Sequence, residues 1–165
     1  MATRSLSHTF SETRSRVGLG RKNIILYDGV CNFCNSCVKT VARFDTKRKF
    51  SFVPLQSDQG RDFMCSLGRS NDDLSSVVYV RTMRTAEPAD GSAESIEVFI
   101  KSDAAVHVIE ELFRIPPVLI SFLCAILPRL LRDGVYDLVA KNRYSIMGKR
   151  TDCGCNAPNS FKDIQ

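Results

Sequence analysis

From Asn23 onward the chain alternates short apolar runs with longer stretches of helical spacing. Ile24-Ile25-Leu26-Tyr27 is apolar and rich in β-branched residues, which reads as a buried strand, and Asp28-Gly29 is turn chemistry that ends it. Cys34, Cys37, Val38 and Val41 then fall at i, i+3, i+4 and i+7, which predicts a helix that packs through those four side chains. Asp45 to Lys49 reads as a solvated connection. Phe50 to Leu55 alternates as a second strand until Pro54 interrupts it. Ser57-Asp58 supplies the cap of a helix over 59–67 that stops at Gly68. Ser76 to Val80 predicts a third strand and Glu97 to Ile100 a fourth. Between them, Thr82 to Ser95 carries Pro88 and Asp90-Gly91 and reads as an exposed hairpin loop. Ser102 or Asp103 caps the next helix, with Ala104, Val108, Ile109 and Leu112 on one face.

This order predicts an α/β fold: two parallel strands joined by a crossover helix, extended by an antiparallel hairpin into a four-stranded mixed sheet. A further helical segment, Ile115 to Ile146, follows. Val118 to Leu127 is almost wholly apolar but short for a membrane span. Pro128 suits the first turn of another helix. On it Leu131, Val135, Leu138, Val139 and Asn142 share a face, while Arg132, Asp133, Asp137 and Lys141 face away. Two readings stand: helices that complete the core, or a membrane-surface or partner-docking face over residues 115–144, since arginines flank the apolar stripe.

Composition changes the picture in three places. At 165 residues, 44% hydrophobic and 25% charged, the chain has the size of one globular domain. The net charge of +5 gathers in the first 22 residues, where Arg4, Arg14, Arg16, Arg21 and Lys22 face only Glu12. The body is nearly neutral and carries no basic stripe, so no nucleic-acid partner is expected. Residues 1–22 are hydroxylated, basic and poor in acids, so they read as a disordered tail or an organellar targeting segment. Residues 23–147 form the domain, and 148–165 read as a flexible tail. Seven cysteines and no apolar leader before Arg21 argue against secretion and for a reducing, intracellular setting, organelle or cytosol.

The candidate chemistry sits at the first strand-to-helix junction. Cys31 falls in the first turn of the predicted helix, where unpaired N–H groups and the positive dipole end favour a thiolate. Cys34, one turn on, reads as the shielded partner: an exposed Cys31 attacks and Cys34 resolves the mixed disulfide. Asp28 is either the turn residue before Gly29 or a carboxylate near the Cys34 sulfur that takes the resolving thiol's proton. Cys37, Cys65 and Cys124 read as small core hydrophobes. The alternative for the pair is a zinc or iron–sulfur module with Cys31, Cys34, Cys153 and Cys155 as ligands. Cys153 and Cys155 otherwise belong to a loose tail or pass electrons to the Cys31–Cys34 pair.

Asp28-Gly-Val-Cys31-Asn-Phe-Cys34 resembles the signature of the DCC family of thiol-disulfide oxidoreductases, an Asp-x-x-Cys-x-x-Cys motif. Three further blocks are similar to that family: Phe50 to Ser57, Lys101 to Ala105, and Pro128 to Tyr144, so the likeness covers roughly residues 23–155. The resemblance implies a thioredoxin-like or glutaredoxin-like fold and dithiol redox chemistry through Cys31, Cys34 and Asp28, with no cofactor. It implies as partner a thiol- or disulfide-bearing protein, or a small thiol such as glutathione. The chain departs from the thioredoxin pattern in one respect: Leu74, Ser75 and Ser76 stand where a cis-proline commonly precedes the third strand, and no Trp precedes the dithiol.

Overall fold

The computed structural model describes residues 10, 12–18, 23–69, 76–84 and 94–149. Residues 12–17 are helical (α1). There follow β1 (Asn23–Tyr27), α2 (Asn32–Phe44), β2 (Phe50–Pro54), α3 (Asp58–Ser66), β3 (Val78–Arg84) and β4 (Glu94–Ile100). Three helices complete the chain: α4 (Lys101–Phe113), α5 (Pro117–Ile126) and α6 (Arg129–Met147). The sheet order is β2-β1-β3-β4. β1 and β2 run parallel across the α2 crossover, while β3 is antiparallel to both β1 and β4. This is the α/β arrangement of a thioredoxin-like fold with added C-terminal helices.

Strand alternation sorts the core into two halves. Ile24 and Leu26 of β1 point to one face, where they pack with Val53, Leu55, Val78, Val80 and with Phe63 and Met64 of α3. Ile25 and Tyr27 point to the other, against Val38 of α2, Phe50, Phe52, Tyr79, and Ala104 and Val108 of α4. A central strand covered on both faces has to be apolar throughout, which is why β1 shows no polar alternation. Gly60 lets α3 lie close against the end of β2: a Cβ there would stand 2.2 Å from the Pro54 carbonyl oxygen.

Several sequence expectations are corrected. Phe10 is buried against Phe63, ring centroids 5.2 Å apart, so the packed unit reaches back into the segment read as a tail. Asp45 is buried, not solvated. Its carboxylate accepts the backbone N–H groups of Lys49 and Phe50, 2.9 Å each, and so starts β2. Pro54 closes β2 in register with Tyr27 and does not interrupt it. β3 and β4 extend to Arg84 and Glu94, and the rest of the hairpin loop lies outside the described residues. No side chain caps α4. Ser102 instead hydrogen-bonds Asp133, and Asp103 pairs with Arg129 and Arg132, because α6 packs beside α4. Ile109 is exposed, as are Cys37 and Cys65, while Cys124 is half-buried.

The largest correction concerns α6. Leu131, Val135 and Leu138 face outward and are exposed, whereas Arg132 and Asp133 turn toward α4 and Asp137 pairs with Lys101 at 3.0 Å. Electrostatic contacts dock this helix, so its apolar stripe is left on the outside together with that of α5. Among the described residues no helix is long and apolar enough to cross a membrane.

Candidate active site

Cys31 is the N-cap of α2, with extended backbone (φ −84°, ψ 116°), one position before the first turn. Its sulfur accepts the backbone N–H of Cys34 at 3.4 Å, so it takes the place that a Ser or Asp oxygen fills at most helix starts. Asn35 fixes the turn from below, its amide donating to the carbonyls of Gly29 and Cys31 at 2.8 Å each. The Cys31 side chain is fully buried and Cys34 only partly so, which reverses the expected exposure of the pair. The reason is a long-range contact. Cys31 and Lys149 form an isolated antiparallel bridge, and Asn32 holds that returning strap through Nδ2 to the Met147 carbonyl (2.8 Å) and its N–H to Gly148 (3.5 Å). Gly148, at φ +73°, has the left-handed backbone that the reversal needs.

Asp28 lies behind the pair, 2% exposed. Oδ1 accepts the Val30 N–H at 3.1 Å and the Gln56 amide at 2.6 Å. Oδ2 accepts the Tyr144 hydroxyl and pairs with Arg143 Nη2 at 2.9 Å. Gln56 also accepts the Gly29 N–H at 2.9 Å, which ties the turn after β1 to the end of β2. Arg143, itself 7% exposed, places Nη1 3.7 Å from Cys34 Sγ and Nη2 3.1 Å from the Tyr144 hydroxyl. Lys149 covers the outer face of the Tyr144 ring at 4.4 Å.

The electrostatics separate the two thiols. Burial, and next the hydrogen bond and charge of Cys31, push the Cys34 thiol up to about 12; Arg143 pulls the other way and Asp28 adds to the rise. Tyr144 is likewise pushed up to about 12 by burial and by its bond to Asp28, so it stays a neutral donor to that carboxylate. Burial works against the Arg143 charge, yet the Cys34 sulfur, Tyr144 and Asp28 hold its proton more firmly than water would. Tyr136 of α6 caps the start of β3, its hydroxyl accepting the Val77 N–H at 3.0 Å. Val77 stands just before β3 and follows Ser76, one of the three residues in the place of a cis-proline; among the described residues there is no cis peptide. Leu74 and Ser75 lie outside the described residues.

The three residues singled out from the sequence, Asp28, Cys31 and Cys34, thus meet at one place. Gln56, Arg143 and Tyr144 join them, and their roles are not readable from local pattern. All three do fall inside the family-like blocks Phe50 to Ser57 and Pro128 to Tyr144, which was the available signal. Cys153 and Cys155, needed for the metal alternative, lie outside the described residues, and among those described no three His, Cys, Asp or Glu side chains are grouped as a metal site.

Comparison with known proteins identifies the family of the chain. The family described as DCC1-like thiol-disulfide oxidoreductase matches residues 25–149. A chloroplastic DCC family protein of Arabidopsis thaliana is 34% identical over 142 residues, covering 86% of this chain and 74% of that protein. An uncharacterized protein, YuxK, of Bacillus subtilis is 35% identical over 139 residues, covering 84% of this chain and 90% of its own. No solved structure matches.

Proposed function

The chain belongs to the DCC1-like thiol-disulfide oxidoreductase family, and from that premise we propose that Cys31 is its attacking thiolate, Cys34 its resolving thiol and Asp28 an assisting carboxylate. The observation that carries the assignment is the division of labour at the helix start. Cys31 Sγ sits where backbone N–H groups converge, while Cys34 keeps its proton until about 12. At pH 7 Cys34 therefore keeps its proton, which favours Cys31 as the first nucleophile. Cys34 also stabilises its neighbour, donating its N–H, and in the reduced state its S–H, to the Cys31 sulfur.

Burial of Cys31 sets a condition on access. Among the described residues the strap over it is held by two hydrogen bonds from Asn32, one of them long and belonging to the Cys31–Lys149 bridge, each worth about 1 kcal/mol, and by the contact of Lys149 with the Tyr144 ring. Lifting residues 147–149 is therefore cheap enough to occur during turnover, and a substrate disulfide then reaches Cys31 from the α6 side. Asp28 assists by position. Its two oxygens already accept from four donors, which fixes the turn after β1 and the end of α6 around the dithiol. The substrates are thiol- or disulfide-bearing molecules; a protein or a small thiol such as glutathione fits the narrow, strapped approach.

Trapping tests the assignment. Cys31→Ser reduces exchange with a small disulfide to background, and Cys34→Ser accumulates a stable mixed disulfide on Cys31. Exchange that survives in Cys31→Ser contradicts it. The basic, hydroxylated N-terminus and the chloroplastic relative support an organellar location. A second reading concerns α5 and α6: their exposed apolar side chains, Val118 at 79% and Leu130 at 88% among them, support peripheral contact with a membrane surface through residues 115–144.

A further inference from the structure

Resting on the dithiol reading, we infer that Arg143 is a catalytic residue: its guanidinium, anchored on Asp28 and 3.7 Å from Cys34 Sγ, receives the charge of the Cys34 thiolate when the mixed disulfide on Cys31 collapses. The side chain comes from near the C-terminal end of α6, and the strap that Asn32 holds keeps that end against the start of α2. A planar fork suits the position: Nη2 binds the carboxylate and Nη1 faces the sulfur, which a lysine could not do at once.

The step balances as follows. With Cys31 joined to a substrate sulfur, Cys34 gives its proton to solvent on its open side. The thiolate attacks Cys31 Sγ, the Cys31–Cys34 bond forms, and the bond from Cys31 to the substrate sulfur breaks. The substrate leaves as a thiolate and is protonated by solvent. Over the cycle the dithiol loses two electrons and the substrate disulfide gains them. In the reverse direction Cys34 is the leaving thiolate, and Arg143 serves it in the same way.

The timing of this help follows from what surrounds the sulfur. Burial, Cys31 and Asp28 all hold the proton on Cys34, and Arg143 opposes them. Once Cys31 is in a mixed disulfide it carries no charge and accepts no S–H bond, so its hold ends; burial and Asp28 still raise the thiol, and Arg143 is the group that opposes them. The titratable groups facing Cys34 are Cys31 at the cap of α2, Asp28 from the turn after β1, and Tyr136 and Arg143 from α6. The apolar cluster against which Cys34 packs adds only the phenols Tyr27 and Tyr79. Tyr136 and Tyr79 are pushed up by burial and stay neutral through the range of the test.

The test uses the reduced full chain carrying C37S, C65S, C124S, C153S and C155S, which leaves Cys31 and Cys34 as its only thiols, with less than one equivalent of 5,5′-dithiobis(2-nitrobenzoate). The first thionitrobenzoate released reports attack by Cys31, and the second reports collapse by Cys34. In the chain with native Arg143 the collapse rate rises with pH to a midpoint below the value of about 12 that Cys34 has beside a free Cys31. R143M moves that midpoint up by about two units. It slows collapse at pH 7 about tenfold, since the gain in nucleophilicity of a more basic thiolate offsets part of the lost ionisation. R143K, which keeps the charge, falls between the two. An unmoved midpoint in R143M overturns the inference, even if the rate falls, because loosened packing alone would give that. Where R143M does not fold, R143K decides: its midpoint rises above the native one, and an unmoved midpoint overturns the inference. Absence of a second release with native Arg143 overturns the dithiol reading itself, and this inference with it.

Discussion

Asn32 shows how much one side chain governs at this site. It opens α2 immediately after the cap, and its amide ties the α6 strap across Cys31 by a single exposed bond to the Met147 carbonyl. Asn32→Ala removes that bond at a cost of about 1 kcal/mol and leaves the cap itself intact. We therefore expect little loss of stability and about a fivefold faster reaction of Cys31 with iodoacetamide, if strap opening limits access. An unchanged rate in Asn32→Ala contradicts the strap as a gate. At this scale the sequence was partly legible. Asp28, Cys31 and Cys34 lie within one strand-to-helix turn, so local pattern reached them. The exposure of Cys31 did not follow, because its cover comes from residue 149. Arg143 and Tyr144 act on partners 109 and 116 positions away, beyond any local signal.

The helices account for both the site and its surroundings. α2 supplies the cap, and α6 supplies Tyr136, Arg143 and Tyr144, while α4 is the platform on which α6 is clamped by Lys101–Asp137, Arg132–Asp103 and Ser102–Asp133. Periodicity found each of these helices and grouped the apolar positions of α6 on one face, but left open whether that face is buried. An apolar stripe is ordinarily the buried one. Here ion pairs and the active-site side chains claim the inner face, and Leu131, Val135 and Leu138 are left outside with Val118, Leu119 and Phe122 of α5. If this outer face meets a lipid surface, the chain floats with liposomes of mixed neutral and anionic lipid. Leu130→Glu with Phe122→Glu then abolishes flotation without changing thiol exchange. Failure of the native chain to float removes the membrane reading. β3 and β4 were found but drawn short, because Thr82 and Ser95 look like loop residues although the ladder pairs Thr82 with Ile96 and Met83 with Ser95.

For the molecule as a whole, the site ties global stability to redox state. In the reduced fold Cys34 and Tyr144 are both pushed up to about 12, whereas in the unfolded chain they lose their protons near ~8.5 and ~10. Between those values the unfolded state binds fewer protons than the native one, so stability falls as pH rises. The reduced chain should begin to lose urea resistance above pH ~8.5. The oxidised chain, whose Cys34 no longer titrates, should lose less between ~8.5 and ~10, through Cys37, and more above ~10, through Tyr79, Tyr136 and Tyr144. Coincident curves for the two forms between those pH values contradict a Cys34 proton held by the fold. Fold class was the most legible level of all, since strand runs, crossover and hairpin each left a separate mark on the chain. The packing of Phe10 was not, because a single aromatic in a basic, hydroxylated segment carries no period. The most direct test of the account is a brief pulse of iodoacetamide on the reduced native chain at pH 6.5, with the labelled cysteine located by mass spectrometry. The account predicts the label on Cys31, ahead of the more exposed Cys34, Cys37 and Cys65. First labelling of Cys34, with Cys31 inert, would contradict it.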